Sequence, residues 1–493
     1  MIKKTAFLLS VLMVANLTLF SCAESSDTSD TNKDGGNTSA QNASETNASG
    51  SLTETEIPSE NIYPKLPDKQ FDGYEMKFLV RDESHTIFAS KDIYAEEENS
   101  EPINDAVYRR NRKIEQQYNI VISQEAVENP GNFIPKLVNS GDCPYDVMIE
   151  ATTHSVNLSA KNMLTDLNTV PYLDFTQPWW DQSLTKELSI GGKLYCNVSD
   201  LIISDKNGTW GVLFNKNLIA SYELEDPYSL VKENKWTLDK FFEVSKNVSS
   251  DENGDGKFTV YDDIFGFATE YYNIFVMTSG AGCRLADKDE NDLPFLSVNN
   301  QKFISTYEKA VEITKDRSTI AASEDVPFYG GIIPAFNDGR ILFYMGSMAL
   351  LPLFREMEQD FGILPVPKYD EAQEFYYTTM SVTNNGAIYI PATNTDLERT
   401  GIIIEALSAE SRYTLLPAYY EVTLKTKLSR DNESAEMIDI LFAHRVADIG
   451  ATYNFGGILD LVWQGNDNFV SGYEKIEARA NRAIQSLIDS LER

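Results

Sequence analysis

Tyr145-Asp146-Val147-Met148-Ile149-Glu150 is the stretch from which the fold can be read. Its apolar residues run together instead of alternating, which is the pattern of a strand covered on both faces of a parallel sheet. Working back from it, Phe133–Val138 reads as a short helix and Asn119–Ser123 as a strand. Pro102–Tyr118 reads as an amphipathic helix, with Ile103, Val107, Ile114 and Tyr118 on one face, and Glu75–Val80 as a strand. The order strand, helix, strand, helix, strand predicts a doubly wound α/β lobe.

Working forward, the same alternation continues. Trp210–Phe214, Ile341–Met345, Phe361–Pro365 and Gly386–Ile390 read as strands, and Thr237–Val248 as a helix capped by Thr237. After Asp396 helices dominate: Leu397–Ala409, Ser434–Ala447 and Asn468–Leu491. A chain of 493 residues is too long for one core. The expected architecture is two α/β lobes with a helical C-terminal region.

Composition narrows the function classes. Hydrophobic residues make up 42% and charged residues 24%, which is ordinary for a folded chain. A formal net charge of -33 argues against nucleic acid, whose phosphates need a basic face. Lys3 and Lys4 precede an apolar run, Thr5–Phe20, that is short for a membrane span. It ends in Leu19-Phe20-Ser21-Cys22, which resembles a bacterial lipobox. Residues 1–22 are therefore expected to be a lipoprotein signal peptide and Cys22 the lipidated residue, on the outer face of the cytoplasmic membrane (periplasmic in a host with an outer membrane). Residues 23–60 are Ser, Thr, Asn, Asp and Gly with almost no large apolar side chain, the composition of a disordered linker. As a coil of about 38 residues it spans roughly 35 Å. Cys143, Cys196 and Cys283 remain, without CxxC spacing, and read as buried thiols.

The body of the chain resembles family 1 extracellular solute-binding proteins, the ligand-capturing subunits of ABC importers. Tyr145–Ile149 matches their "YD-apolar-apolar" strand. Leu164-Thr165-Asp166-Leu167, Pro178-Trp179-Trp180-Asp181, Gly192-Lys193-Leu194-Tyr195 and Phe214-Asn215-Lys216 follow in the family's order. Later come Phe336-Asn337-Asp338-Gly339-Arg340 and Gly362-Ile363-Leu364-Pro365-Val366-Pro367-Lys368. The resemblance implies a periplasmic-binding-protein-like type II fold with an interlobe cleft. It implies a first lobe of residues 61–205 and 341–400, and a second of 206–340 and 401–493. It also implies a carbohydrate ligand, permease subunits as partners, and a monomer.

Ligands of such sheets sit beyond the carboxyl ends of the strands. That rule points to Glu150 and Thr152 after the first-lobe strand, to Trp210, Glu270, Tyr271 and Tyr272 in the second lobe and the crossings, and to Gly346, which follows the strand Ile341–Met345 and opens a helix. Tyr453 and Trp463 lie where the resemblance implies an aromatic cleft wall. Sugars suit this mixture, since their C–H faces stack on rings and their hydroxyls need carboxylate or amide partners. Trp179 and Trp180 read as structural.

Asp251-Glu252-Asn253-Gly254-Asp255-Gly256-Lys257-Phe258-Thr259-Val260-Tyr261-Asp262 has the spacing of a calcium loop. Asp251, Asn253, Asp255, the Lys257 carbonyl, Thr259 and Asp262 are the expected ligands of a structural ion, with aspartate at the last position where an EF-hand has glutamate. No catalytic residue is expected. His85, His154 and His444 lack zinc spacing, and there is no GxSxG elbow or Walker loop. Abundant carboxylates leave a lipid-anchored glycoside hydrolase as the rival. A sensory lipoprotein with the same fold and no transporter is another.

Overall fold

The computed structural model describes residues 62–321, 326–428 and 431–491. The expected signal peptide, Cys22 and the 23–60 linker lie outside them. The first sheet has the strand order Ala387–Tyr389, Val147–Glu150, Tyr74–Arg81, Ile120–Val127. The last three are parallel, with Phe78 beside Val147 and Tyr74 beside Ile120, and Ala387–Tyr389 joins antiparallel. This is the predicted βαβαβ unit. Its first helix, Pro102–Tyr118, begins on proline, whose missing N–H is no loss there, and ends on Asn119 in the left-handed region at φ 47°. Ala106, Val107, Ile114 and Tyr118 are buried. The Arg110 guanidinium, also buried, donates to the carbonyls of Asp92, Ile93 and Leu201, tying the loop after the first strand to the chain leaving the lobe.

The second sheet has the order Phe361–Leu364, Trp210–Asn215, Ile341–Ser347, Phe265–Thr269, Thr319–Ala321. Trp210–Asn215 runs antiparallel to both its neighbours, and the last three strands are mutually parallel. One face is packed by Trp236, Phe241, Phe267 and Phe343 under the helices Leu238–Lys246 and Gln301–Lys315. The other carries Phe336, Tyr344, Phe354 and Phe361. Thr237 caps its helix as expected, its hydroxyl accepting from the Lys240 amide.

The sheets divide the chain differently from the expected lobe boundaries. Ile341–Ser347 and Phe361–Leu364, expected in the first lobe, pair on either side of Trp210–Asn215. The chain returns only at Thr378–Met380, where Met380 bridges Thr209. Conversely, Ile402–Leu407 at the start of the expected second segment packs in the first core. Apolar strand sequence states that a strand is buried, not which sheet buries it.

The crossings are held by a buried ionic cluster. Arg445 pairs with Asp205 at 2.7 Å and Asp181 at 2.6 Å, and Lys206 pairs with Asp205 at 3.2 Å. Each charge has a partner of opposite sign, the condition for burying it. Cys143, Cys196 and Cys283 form no disulfide with one another, and Cys196 and Cys283 are buried. Among the described residues, no helix is long and apolar enough to cross a membrane.

Candidate functional site

At the carboxyl edge of the first sheet, Arg81 and Glu150 end neighbouring parallel strands and form a buried pair at 2.5 Å. The chain turns away from this point in opposite directions, so this is the sheet's switch point. The Glu150 carboxylate also accepts from the amides of Ala151 (2.7 Å) and Gly131 (3.2 Å), the latter in the first turn of the helix Pro130–Ser140. Arg81 donates further to the Thr383 carbonyl at 3.0 Å, leaving its Nη1 without an acceptor. Thr152 is fully buried, its amide donating to Asn385 Oδ1 at 3.0 Å. His154 stands 4.0 Å from Glu150, and burial pushes its imidazole below the usual range although the carboxylate pulls it up.

The carboxyl edge of the second sheet is aromatic. Trp210 opens its strand opposite Ser347, and Gly211 stands opposite Gly346. Gly346 is glycine because a Cβ there would meet the Tyr344 ring at 2.7 Å and Leu350 at 2.8 Å. Glu270 and Tyr271 follow the strand Phe265–Thr269 and open the helix Tyr272–Gly280, the amide of Asn273 donating to the Glu270 carbonyl at 2.8 Å. Tyr272 links the two predicted tryptophans, its ring centroid 5.3 Å from Trp210 and 5.9 Å from Trp463. Trp210 is 7% exposed and Trp463 36%, so the chain of rings runs from core to surface.

This edge leaves polar atoms unused. Trp210 Nε1, Asn273 Oδ1 and Tyr344 Oη are buried without a hydrogen-bond partner. Such atoms are rare in native proteins and each calls for a reason. Asn273 spends its amide N–H on the Met345 carbonyl at 3.0 Å, which leaves the oxygen as acceptor.

Of the predicted residues, the structure gathers Trp210, Glu270, Tyr271, Gly346 and Trp463 around one sheet edge. Glu150 and Thr152 lie at the other. Tyr453 stacks on Phe455, centroids 5.4 Å apart, within an apolar cluster of the C-terminal helices and Ile190. Arg81 and Asn385 are not among the predicted residues. Arg81 carried a signal: a charged residue closing an apolar strand at the carboxyl edge. Asn385 carried none, because its role depends on a return of the chain from 233 residues away.

Trp179 and Trp180 are structural, as expected. Their indole N–H groups donate to opposite oxygens of buried Glu405 at 3.0 and 2.9 Å. Burial pushes that carboxyl up to about 7 against the pull of both indoles.

In the loop 251–262, Gly254 and Gly256 take φ of 71° and 77°, conformations that favour glycine. Asp251 accepts from their amides at 2.7 and 2.9 Å, Asn253 from Asp255, Asp255 from Lys257, and Asp262 from the Thr259 hydroxyl. Asp263, outside the predicted set and fully buried, joins the loop's ends through the amides of Glu252 and Thr259. The loop thus caps itself. Among the described residues, no group of three or more His, Cys, Asp or Glu side chains is placed to hold a metal ion.

No protein-family model and no curated protein sequence matches the chain. Solved structures do. UspC of M. tuberculosis superposes with a TM-score of 0.55 at 13% identity, over 83% of this chain and 100% of that one. A sugar transporter from Rhizobium etli in an open conformation gives 0.55 at 13%, over 85% and 99%. A cyclo/maltodextrin-binding protein complexed with maltotetraose gives 0.53 at 12%, over 86% and 98%. From residue 62 onward, then, this chain has the two-lobed α/β fold of the periplasmic-binding-protein type.

Proposed function

We propose that this protein is the solute-capturing subunit of an ABC importer, that its ligand is a sugar or oligosaccharide, and that it hands this ligand to a permease. The observation that carries the reading is the chain of rings Trp210–Tyr272–Trp463 on the carboxyl edge of the second sheet, with buried polar atoms of Trp210 and Asn273 left unpaired beside it. A sugar meets both needs: its C–H face stacks on a ring, and its hydroxyls accept from an indole and donate to an amide oxygen. The structural neighbours include a cyclo/maltodextrin-binding protein and a sugar transporter, which supports the same ligand class.

Solute binding between the lobes shifts the population toward the closed form through contacts made only there. Lipid on Cys22 belongs to the proposal, and the 23–60 linker holds the lobes within reach of the permease at high effective concentration. Calcium in the loop 251–262 belongs to it as a structural staple. It is supported by the turns at Gly254 and Gly256 and by the lone pair that each Asp251 carboxylate oxygen keeps after its one amide bond.

The test is thermal unfolding of the protein against a panel of mono- and oligosaccharides. A solute that binds only the folded state raises the melting temperature by mass action. One sugar raising it, with that sugar recovered intact, is the expected result. Sugar cleavage replaces the reading with a glycoside hydrolase. Silence across the panel removes carbohydrate as the ligand class.

A further inference from the structure

The first-lobe turn Ile190-Gly191-Gly192-Lys193 follows the helix Gln182–Leu188, whose Leu184 and Leu188 pack in the first core. Its tip, however, is seated on the second lobe. Gly191 and Gly192, at φ 56° and 73°, turn consecutive amides toward one residue: Gly191 donates to the Asp292 carbonyl at 2.9 Å and Gly192 to its carboxylate at 3.1 Å. Two successive amides in such a turn make a small anion-binding concavity. Asp292 sits in the hairpin of Ala286–Lys288 and Pro294–Leu296, and Lys288 pairs with it at 2.5 Å.

Lys288 also reaches back across the gap. Its ammonium donates to the carbonyls of Ser189 (3.0 Å) and Lys186. Lys193 donates in the other direction to the Leu491 carbonyl. Glu187 stands 3.6 Å from Arg284. Ile190, only 2% exposed, is buried among Ala286, Ile449, Phe455, Ile484 and Leu487, all from the far side.

We propose that the Ile190–Lys193 turn is a latch that holds the two lobes together without solute. The inference rests on the opening and closing assumed in the functional reading, but not on the identity of the ligand. None of these contacts passes through the rings at the second sheet edge. The latch therefore stabilises the empty and loaded closed forms alike, and sets how much of the free protein is closed before solute arrives. Asp292 is its centre, because it takes both glycine amides and the Lys288 charge. Burial pushes its carboxyl up, yet Lys288, Ser189 and Gly192 outweigh burial and hold it below the usual range.

The test is small-angle scattering of the full chain without solute, wild type beside Lys288→Ala/Asp292→Ala. A second variant, Ile190→Ser, approaches the same contact through its apolar half. Expected is a compact wild type and a larger radius of gyration in both variants at unchanged far-ultraviolet circular dichroism. The closed-to-open ratio should fall roughly tenfold or more, as fits the loss of charge-assisted hydrogen bonds. Identical scattering from wild type and both variants overturns the latch. If the variants open while no sugar shifts the melting temperature, the latch stands and the carbohydrate reading falls.

Discussion

The carboxyl edges of the two sheets are finished in opposite ways. At the first, charge meets charge: Glu150 takes Arg81 and two amides, and Thr152 takes Asn385. At the second, a chain of rings lies beside Glu270, and Trp210, Asn273 and Tyr344 keep buried polar atoms unpaired, against Arg81 Nη1 at the first. A buried ion pair is costly to break from one side, so the first edge is rigid. Unpaired polar atoms cost stability until something pairs with them, so the second edge has free energy to gain from a solute. Under the proposed function, two edges occupying equivalent places divide the work: one supports and the other captures.

The largest expected effect tests the supporting edge. Arg81→Leu leaves Glu150 buried without its cation and should cost about 3–5 kcal/mol in denaturant unfolding. Arg81→Leu with Glu150→Leu should recover most of that loss. If the double variant is as unstable as the single, the edge is held by something other than the pair.

Glu405 sets a second, pH-dependent expectation. Its folded-state value of about 7 lies above the ordinary carboxylate value, chiefly through burial. Between the two values the folded state keeps a proton that the unfolded state has lost. Stability should therefore fall as pH rises from about 4.5 to about 7 and level off above, by roughly 3 kcal/mol at most. Glu405→Gln should flatten this slope in unfolding measured across that range. An unchanged slope assigns the pH dependence to other groups, such as Asp200, which burial pushes up to about 6.

The capturing edge is sharpened by a pair of smaller changes. Trp463→Ala should weaken sugar binding about tenfold, since one aromatic face is lost, with little change in melting temperature because the ring is partly exposed. Trp210→Phe keeps a ring but removes the unpaired N–H. It should leave stability equal or higher while binding weakens by a similar factor, measured by calorimetry. Full affinity in both would move the solute off this edge. The smallest effect is expected at the 251–262 loop: millimolar calcium should raise the melting temperature by a few degrees and Asp251→Asn should abolish the rise. No rise in the wild-type protein leaves the loop a self-capped turn.

Much of the fold was legible in the chain. The helix Pro102–Tyr118 begins and ends where its proline and apolar face say it should, and Thr237 caps as its position predicts. These are local rules: a capping hydroxyl or a 3.6-residue period acts over one or two turns. Part of the candidate site was legible, since the strand-end rule points to Trp210, Glu270, Tyr271 and Gly346 and the structure places them at one sheet edge. Tyr272 was visible beside them, but its place as the link to Trp463 was not, because that contact joins residues far apart in sequence.

By itself, then, the sequence determined which segments are strands and helices and which residues stand at the strand ends. Those properties follow from periodicity, burial and backbone preference within a few residues. Only the tertiary structure decided that Ile341–Ser347 and Phe361–Leu364 join the second sheet, that Arg81 occupies Glu150, and that Gly191 and Gly192 close on Asp292. Each of those pairings spans tens to hundreds of residues. An apolar or charged side chain declares the need for a partner, while the route of the chain alone decides which partner arrives.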